Sequence, residues 1–297
     1  MNLTKIIRKF SNKKNINYSK HLRKFKNLDE LEIIKHSYDL QAGSYINFFY
    51  KNKKKEKKFT NKIIDIIYKN FGKFESFLDC GCGEMNVTYF LVNKINFIKK
   101  ILLFDISLNR LLNGQKFLKK ELSSTNFKKL NIFASSLNNI PLHDNSINLV
   151  FTNHAIESNK ENAEQIIKEL YRVSNYGMML NEPNYSNASK KQKKRMVENN
   201  YVINIPQILK KLKIKFKKVE IKNSIASHNK TTSFIIYKKI LKKNKISFVD
   251  PIYKKPLIKK KNIYISYILN QIHFTYENIP IFDFNKPTIV NKLFLKD

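Results

Sequence analysis

The sequence has few cysteines and no long uninterrupted apolar run. Two cysteines, Cys80 and Cys82, cannot build a disulfide framework, and two thiols alone make a poor zinc site. No segment approaches the roughly 20 apolar residues that a membrane-spanning helix needs, and no apolar run near the start resembles a signal peptide. These absences predict a protein of the reducing cytoplasm that binds no metal.

Acidic residues are also scarce, because 23 Asp and Glu oppose 57 Lys and Arg, for a formal net charge of +34. Such a charge is compatible with a nucleic-acid partner. However, five of the basic residues are arginine, whose planar guanidinium best matches phosphates and guanine edges, and the rest are lysine. An AT-rich genome produces the same excess of lysine. The composition therefore permits nucleic-acid binding but does not require it.

Residues 1–28 contain no acid. Leu3, Ile6, Ile7 and Phe10 have the spacing of one helical face, with basic residues beside them. This pattern predicts either a helix in peripheral contact with the anionic inner face of a membrane or a solvated basic extension.

The next part of the chain has a helical pattern, interrupted by a lysine-rich run from Lys51 to Lys58. We interpret this run as a solvated connector and predict a second helix over 59–71. Residues 1–35 are assigned to the basic extension.

From Phe74 onward, short apolar segments alternate with amphipathic helices. Strands are predicted at 75–80, 101–105, 130–134, 147–152, 175–181, 215–221 and 232–238. This alternation indicates a parallel sheet covered on both faces, and the short link between the last two strands predicts an antiparallel hairpin at one edge. The predicted fold is α/β, a doubly wound, mostly parallel sheet of seven strands over residues 36–242. Residues 243–297 are predicted to form a small β-rich module.

An apolar strand runs into a close-spaced turn that contains Asp79, Gly81 and Gly83. Glycines allow the chain to turn sharply and to approach a ligand, although a ligand-free turn has the same pattern. Asp105 ends the next strand, where a carboxylate can accept from both ribose hydroxyls of a nucleoside cofactor. Asp79 would repel a pyrophosphate, and Asn86 replaces the third glycine of the dinucleotide motif. S-adenosylmethionine is therefore favoured over a dinucleotide.

Four motifs carry a resemblance to a known family: FLDCGCGE, LFDIS, NNIPLHDNSINLVFTNHAIESN and IIKELYRVSNYGMMLNEPNY. They resemble the class I S-adenosylmethionine-dependent methyltransferases, of the type that includes the ubiquinone and menaquinone C-methylases, over about residues 36 to 240. The resemblance implies a Rossmann-like fold and S-adenosyl-L-methionine as the cofactor. It implies a cofactor site formed by Tyr45, Asp79, Cys80, Gly81, Gly83, Asp105, Ile106, Ser136, Leu137 and Asn153.

Two tyrosines precede the core of this domain. The segment from Tyr38 to Tyr45 resembles the helix and loop that fold over the cofactor in this family. The alternative is that both tyrosines simply pack in the core.

Three positions depart from the family pattern. Met85 stands where many members have a further glycine, Ser136 where they have an acid for the adenine amino group, and Asn148 where the fourth strand often carries an acid. These departures are compatible with a weaker cofactor site. They keep a catalytically inactive binding module among the alternatives.

Methyl transfer requires an aligned donor and acceptor and, for a hydroxyl acceptor, a group that removes a proton. His154 and Glu157 follow the fourth strand, and Glu182 follows the fifth. Ligands bind at this edge of open parallel sheets, so we predict these three residues as candidate catalytic bases. Each also has a structural interpretation, since a histidine can cap a helix and a glutamate favours a helix N-terminus.

The tail from Asp250 to Ile281 resembles the small zinc-ribbon-type domain that activates tRNA and protein methyltransferases. Asp250 and Tyr253 stand where bacterial relatives have cysteines, so no metal is expected there. Methyltransferases with such a tail also resemble those of surface-polysaccharide pathways, which implies a small-molecule, sugar or sugar-lipid (glycan) acceptor. RNA or protein methylation, helped by the tail and the basic surface, is the alternative.

Overall fold

The structure is a computed structural model that describes residues 18–24, 28–221, 231–238, 243–282 and 288–290. Its helices are α1 (Tyr18–Leu22), α2 (Glu30–Leu40), α3 (Ser44–Phe71), α4 (Asn86–Lys94), α5 (Leu108–Glu121), α6 (Ser124–Phe127), α7 (Ala163–Val173), α8 (Lys190–Glu198) and α9 (Ile205–Lys211). Its strands are β1 (Ser76–Cys80), β2 (Lys100–Asp105), β3 (Leu130–Ser135), β4 (Ile147–Asn153), β5 (Ser174–Pro183), β6 (Lys217–Ile221), β7 (Thr231–Tyr237), β8 (Ile258–Lys260), β9 (Ile263–Ser266), β10 (Gln271–Tyr276), β11 (Ile279–Phe282) and β12 (Thr288–Ile289).

The strands form one twisted sheet in the order β6-β7-β5-β4-β1-β2-β3-β11-β10-β9-β8, with β12 paired to β10. Strands β3, β2, β1, β4 and β5 run parallel to their neighbours in that order. Strand β7 is antiparallel to both β5 and β6. These pairings confirm the α/β sheet and its antiparallel hairpin, whereas the continuation past β3 was not predicted.

The core lies on both faces of the parallel strands. All five residues of β1 are buried, as expected for a strand that helices cover on both sides. Helix α7 turns a single apolar stripe to the sheet. The stripe consists of Ala163, Ile166, Ile167, Leu170 and Val173, each at most 1% exposed. The apolar residues that have helical spacing in the sequence are thus the ones that form the buried face of the helix.

Helix α3 spans Ser44 to Phe71 with a kink at Asn52, so the predicted connector at Lys51 to Lys58 is wrong. Asn52 alone in the helix departs from helical angles, with φ −130° and ψ 23°. Phe49 and Phe59 are buried on either side of the run, while its lysines are exposed. Lysine has a favourable helix propensity, and one buried face is enough to hold a charged helix on the core.

The C-terminal segment extends the sheet. Strand β11 pairs in parallel with β3, with Phe282 opposite Ser135, and β8, β9 and β10 form an antiparallel meander beyond it. Asp250 is fully buried, and its carboxylate accepts backbone N–H bonds from Tyr253 at 2.5 Å and Lys255 at 2.8 Å. At a position where the resemblance places a cysteine, this carboxylate organises a turn.

Two absences among the described residues concern membranes and metals. None of the helices in these ranges is both long and apolar enough to cross a bilayer. No group of three His, Cys, Asp or Glu among the same residues is placed to hold a metal ion. The apolar pattern at Leu3 to Phe10 lies outside the described residues.

Candidate functional site

A cavity of about 560 Å³ lies at the carboxyl ends of β1, β2, β3 and β4, where parallel sheets of this kind bind ligands. Ten of the predicted site residues line it: Tyr45, Gly81, Gly83, Asp105, Ile106, Ser136, Leu137, Asn153, His154 and Glu157. Asp79, Cys80 and Glu182 are not among the lining residues. The strand order therefore brings together side chains that are far apart in sequence.

The turn after β1 depends on glycine for two different reasons. Gly81 and Gly83 have positive φ angles of 69° and 55°, which favour glycine. A Cβ on Gly81 would lie 2.5 Å from the Cβ of Ala155, whereas the nearest atom to one on Gly83 would be 3.7 Å away. The N–H groups of Gly81 and Cys82 both donate to the carbonyl of Phe104, at 2.8 and 3.0 Å. Close packing against β2 and β4, rather than a ligand alone, thus requires Gly81.

Asp105 fastens this turn to the end of β2. Its Oδ2 accepts the N–H of Gly83 at 2.9 Å, and its Oδ1 accepts the N–H of Ser107 at 2.9 Å. Burial raises the pKa of Asp105 above its usual value, and the Arg110 guanidinium opposes that shift. The carboxylate retains further acceptor capacity, because each oxygen carries two lone pairs. It can therefore hold the turn and accept hydroxyl donors from a ligand at once.

Arg110 covers the same side of the cavity, and the sequence analysis missed it. Its guanidinium lies 4.3 Å from the ring centroid of Tyr38 and 4.5 Å from that of Tyr45. Its Nη2 donates to Gln41 Oε1 at 3.1 Å. The Tyr38 hydroxyl is 2.9 Å from Ser158 Oγ, across the cavity mouth. The two tyrosines thus belong to a cover over the site, and the scarcity of arginine was the signal that could have drawn attention to Arg110.

Glu84 is a second residue that the sequence analysis did not select. It is 1% exposed, and its two carboxylate oxygens accept the N–H groups of Gly43 and Ile46, both at 2.8 Å. A carboxylate at the start of α3 also interacts favourably with the helix dipole. The residue that follows the glycine turn therefore holds the covering helix in place.

Asp79 and Cys80 support the site from behind. Asp79 Oδ2 accepts the hydroxyl of Thr88 at 2.5 Å, and burial raises the pKa of Asp79 to about 7. Cys80 is fully buried, and burial raises the pKa of its thiol well above the usual value. A thiol of this kind is unreactive at neutral pH. Asp79 belongs to the packing between β1 and the first turn of α4, whereas Cys80 packs with Leu78 and Phe104 in the core on the other face of the sheet.

The three departures from the family pattern have different structural consequences. Met85 keeps a left-handed backbone, with φ 64°, so the conformation that a glycine would provide is preserved. Ser136 lines the cavity, and its hydroxyl oxygen accepts the N–H of Asn138 at 3.1 Å. Asn148 lies at the opposite edge of the sheet, where its Oδ1 accepts the N–H of Ser76 at 3.1 Å. The change at Asn148 therefore does not touch the cavity.

His154 and Glu157 lie together at the mouth of β4. The Nδ1 atom of His154 is 2.9 Å from Glu157 Oε2, and its Nε2 atom is 3.0 Å from Thr231 Oγ1. Burial lowers the pKa of His154, but the Glu157 carboxylate outweighs burial, so the pKa is raised overall. His154 also has a left-handed backbone, with φ 58°. Strain of this kind concentrates at functional sites.

Glu182 lies beneath this pair. It is fully buried, and its Oε1 accepts the N–H groups of Ala155 at 3.1 Å and Ile156 at 3.2 Å. Burial raises the pKa of Glu182 to about 7, while His154 opposes the shift. These contacts make Glu182 a group that shapes the turn after β4 from outside the cavity.

Comparison with known proteins agrees with this geometry. Residues 78–180 match a family profile described as a methyltransferase domain. No curated protein matches the chain by sequence. A solved structure of a candidate S-adenosyl-L-methionine-dependent methyltransferase from Methanococcus maripaludis superposes with a TM-score of 0.50 at 16% identity, covering 73% of this chain and 98% of that one.

Two other solved structures are similar at lower scores. An S-adenosylmethionine-dependent methyltransferase from Aquifex aeolicus has a TM-score of 0.47 at 16% identity and covers 60% of this chain and 89% of that one. One from Methanosarcina mazei has a TM-score of 0.46 at 17% identity and covers 59% of this chain and 98% of that one. The matched profile identifies a methyltransferase domain over residues 78–180, and the solved structures show that the chain has the fold of S-adenosylmethionine-dependent methyltransferases.

Proposed function

We propose that this methyltransferase acts on a hydroxyl group of a small-molecule, sugar or sugar-lipid acceptor, which enters beside His154 and Glu157. One observation carries the proposal. The His154–Glu157 pair, which can accept a proton, lines the same cavity as the glycine turn and Asp105. An acceptor bound there would meet the donor within one enclosed space. The resemblance of the tail to that of polysaccharide-pathway enzymes supports a sugar or sugar-lipid.

The residues of the cavity fit the cofactor. The Asp105 carboxylate lines the cavity with acceptor capacity to spare for ribose hydroxyls, and Ser136 and Leu137 lie beyond it on the side proposed for adenine. Gly81, Gly83 and Asn153 lie on the side proposed for the methionyl part. When bound, the cofactor supplies an electrophilic methyl group on a sulfonium, which is a good leaving group. The protein has to hold the partners in line and exclude water.

Proton removal falls to His154 and Glu157. If the imidazole is neutral with its proton on Nδ1, Glu157 accepts that hydrogen bond and Nε2 keeps a lone pair that faces the hydroxyl of Thr231. A substrate hydroxyl that displaces the Thr231 contact can then transfer its proton to Nε2. The Glu157 carboxylate stabilises the imidazolium that forms, as its effect on the pKa of His154 indicates. Glu157 thus orients and supports the base.

The test begins with cofactor binding and continues to the acceptor. Calorimetry with S-adenosylhomocysteine should show a saturable site, and its absence would leave a non-catalytic binding module. Methyl-labelled donor and a fractionated cell extract should then place the label in a small-molecule, lipid or glycan fraction. Label in RNA, with an affinity that falls steeply with salt, would support the alternative function instead.

Variants of the proton-accepting pair sharpen the test. His154→Ala should lower turnover by about 10² or more while the affinity for S-adenosylhomocysteine stays nearly unchanged. Glu157→Gln should have a smaller effect of the same kind. His143, which does not line the cavity, provides the matched control His143→Ala. Equal turnover in His154→Ala and the control would remove His154 from the mechanism.

A further inference from the structure

The chain has few arginines, and the described ones differ in the hydrogen-bond partners of their guanidinium groups. Arg23, Arg110 and Arg172 each donate to carboxylate, amide or carbonyl oxygens of the chain itself. The guanidinium of Arg195 makes no hydrogen bond or ion pair with any residue that the structure describes, and Arg195 lines the cavity. A guanidinium directed at a ligand cavity without an acceptor of its own is available to bind one from outside.

Arg195 lies on the acceptor side of the cavity. It belongs to α8, and Tyr201, shortly after that helix, lines the cavity with it. The positive charge of Arg195 reaches both His154 and Tyr201, because it opposes the rise in the pKa of each. The guanidinium is therefore within electrostatic range of the proposed base, whereas the arginine that acts on the pKa of Asp105 is Arg110.

Tyr201 contributes a second donor. Its hydroxyl has no hydrogen-bond partner among the described residues, although the side chain is partly buried. Burial raises the pKa of Tyr201 above its usual value, so its hydroxyl stays protonated and can donate. A guanidinium and a phenolic hydroxyl that line the same cavity form a donor set that suits an oxyanion.

The surroundings also favour an anion. Helix α8 carries Lys190, Lys191, Lys193 and Lys194, and Glu198 is its one acid. The Nζ atom of Lys194 lies 3.9 Å from Glu198 Oε1, so this ion pair neutralises one of the four lysines. The nearby Glu157 carboxylate is engaged by His154 at 2.9 Å. The lysines of α8 do not line the cavity, but they add positive charge to the helix that carries Arg195, and such charge favours the approach of anionic molecules.

We infer that Arg195 and Tyr201 form a subsite for an anionic group of the methyl acceptor, either a carboxylate or a phosphate. This inference rests on the proposed function, since it names the class of acceptor for the same cavity. Anchoring the anionic group on α8 would leave a hydroxyl of the acceptor beside His154. The subsite selects for acceptors that carry both groups.

The first test needs neither donor nor acceptor. Inorganic phosphate and acetate are titrated into the full-length protein while the imidazole signals of His154 are followed by NMR, with chloride at equal ionic strength as the control. Wild type and Lys194→Gln should show a saturable shift, because neutralising Arg195 changes the field at His154. Arg195→Gln should weaken the apparent affinity by about tenfold or more, and Tyr201→Phe by less. An equal shift in Arg195→Gln, or with chloride, would overturn the inference.

A second test uses the reaction. Methyl-labelled acceptors from an extract are passed over an anion exchanger, and the label should appear in the retained pool. Phosphatase treatment releases that label if the group is a phosphate and leaves it retained if the group is a carboxylate. Label in the unretained pool would contradict the inference while leaving methyl transfer established. Absence of S-adenosylhomocysteine binding is a separate result, because it would contradict the proposed function and not the anion titration.

Discussion

Asp105 and Gly83 are joined by a hydrogen bond of 2.9 Å from the backbone N–H of the glycine to Oδ2 of the carboxylate, although 22 positions separate them in the chain. The bond ties the turn after β1 to the end of β2. The same carboxylate faces the cavity in which the cofactor is proposed to bind. One side chain thus shapes the site and is expected to contact the ligand.

Asp105→Ala should therefore weaken the binding of S-adenosylhomocysteine by at least about tenfold, because it removes an acceptor for ribose and leaves two backbone donors unpaired. Asp105→Asn should lose less affinity for S-adenosylhomocysteine, since its amide oxygen can still accept one of these hydrogen bonds. Calorimetry measures both. Asp65→Asn, on the exposed face of α3, is the control, and an Asp105→Ala affinity equal to it would refute the ribose role.

The two glycines of the turn should respond differently to alanine. Both replacements introduce a left-handed alanine, at a cost of roughly 1–2 kcal/mol. Gly81→Ala adds a Cβ only 2.5 Å from that of Ala155, whereas Gly83→Ala adds one in ordinary contact at 3.7 Å. Chemical denaturation should show that Gly81→Ala is the less stable protein. Equal free energies of unfolding would mean that β4 can move away from the turn at little cost.

Glu182 should make the stability of the protein depend on pH. Its pKa is raised from 4.5 to about 7 in the folded state, mainly by burial. The folded protein therefore binds this proton more tightly than the unfolded chain, and stability falls as pH rises from about 4.5 to about 7. The full effect is on the order of 3 kcal/mol.

Glu182→Gln should flatten that fall, because the amide cannot ionise and still offers an oxygen to the N–H groups of Ala155 and Ile156. Denaturation curves at several pH values measure the slope. His154, whose pKa is also raised, contributes in the same direction and remains in the variant. Glu198→Gln, on the exposed face of α8, should keep the wild-type slope. An unchanged slope in Glu182→Gln would show that Glu182 is ionised throughout.

Asp250 should be important for the attachment of the C-terminal segment. Asp250→Ala removes the acceptor of the backbone N–H groups of Tyr253 and Lys255, at a cost of about 1 kcal/mol for each of these partly buried bonds. Hydrogen exchange should then accelerate over 248–257. Asp250→Asn, which keeps one oxygen, should accelerate it less. Unchanged exchange in Asp250→Ala would mean that other contacts alone hold the turn.

Much of the fold followed from local pattern. Strands β1 to β7 lie at the predicted segments, because for all of them except the exposed edge strand β6 the apolar residues buried on both faces give a clear sequence pattern. The lysine-rich run from 51 to 58 was wrongly predicted to be a connector. Charge indicates that a segment is exposed, but exposure alone does not distinguish a helix from a connector. The pairing of the tail with β3 was not predicted either, because strands as far apart in the sequence as Ala134 and Ile281 share no local pattern.

The sequence by itself determined which residue types meet at the candidate site: the glycine turn, the acid at the end of β2, and His154 and Glu157 after β4 lie where their order and spacing predict. The tertiary structure decided which side chains face the cavity. It turned Asp79 and Cys80 inward, buried Glu182 beneath the turn and placed Arg110, Glu84 and Arg195 around the ligand space. The direction in which a side chain points depends on contacts between segments that are far apart in the chain. Those contacts exist only after the sheet has assembled.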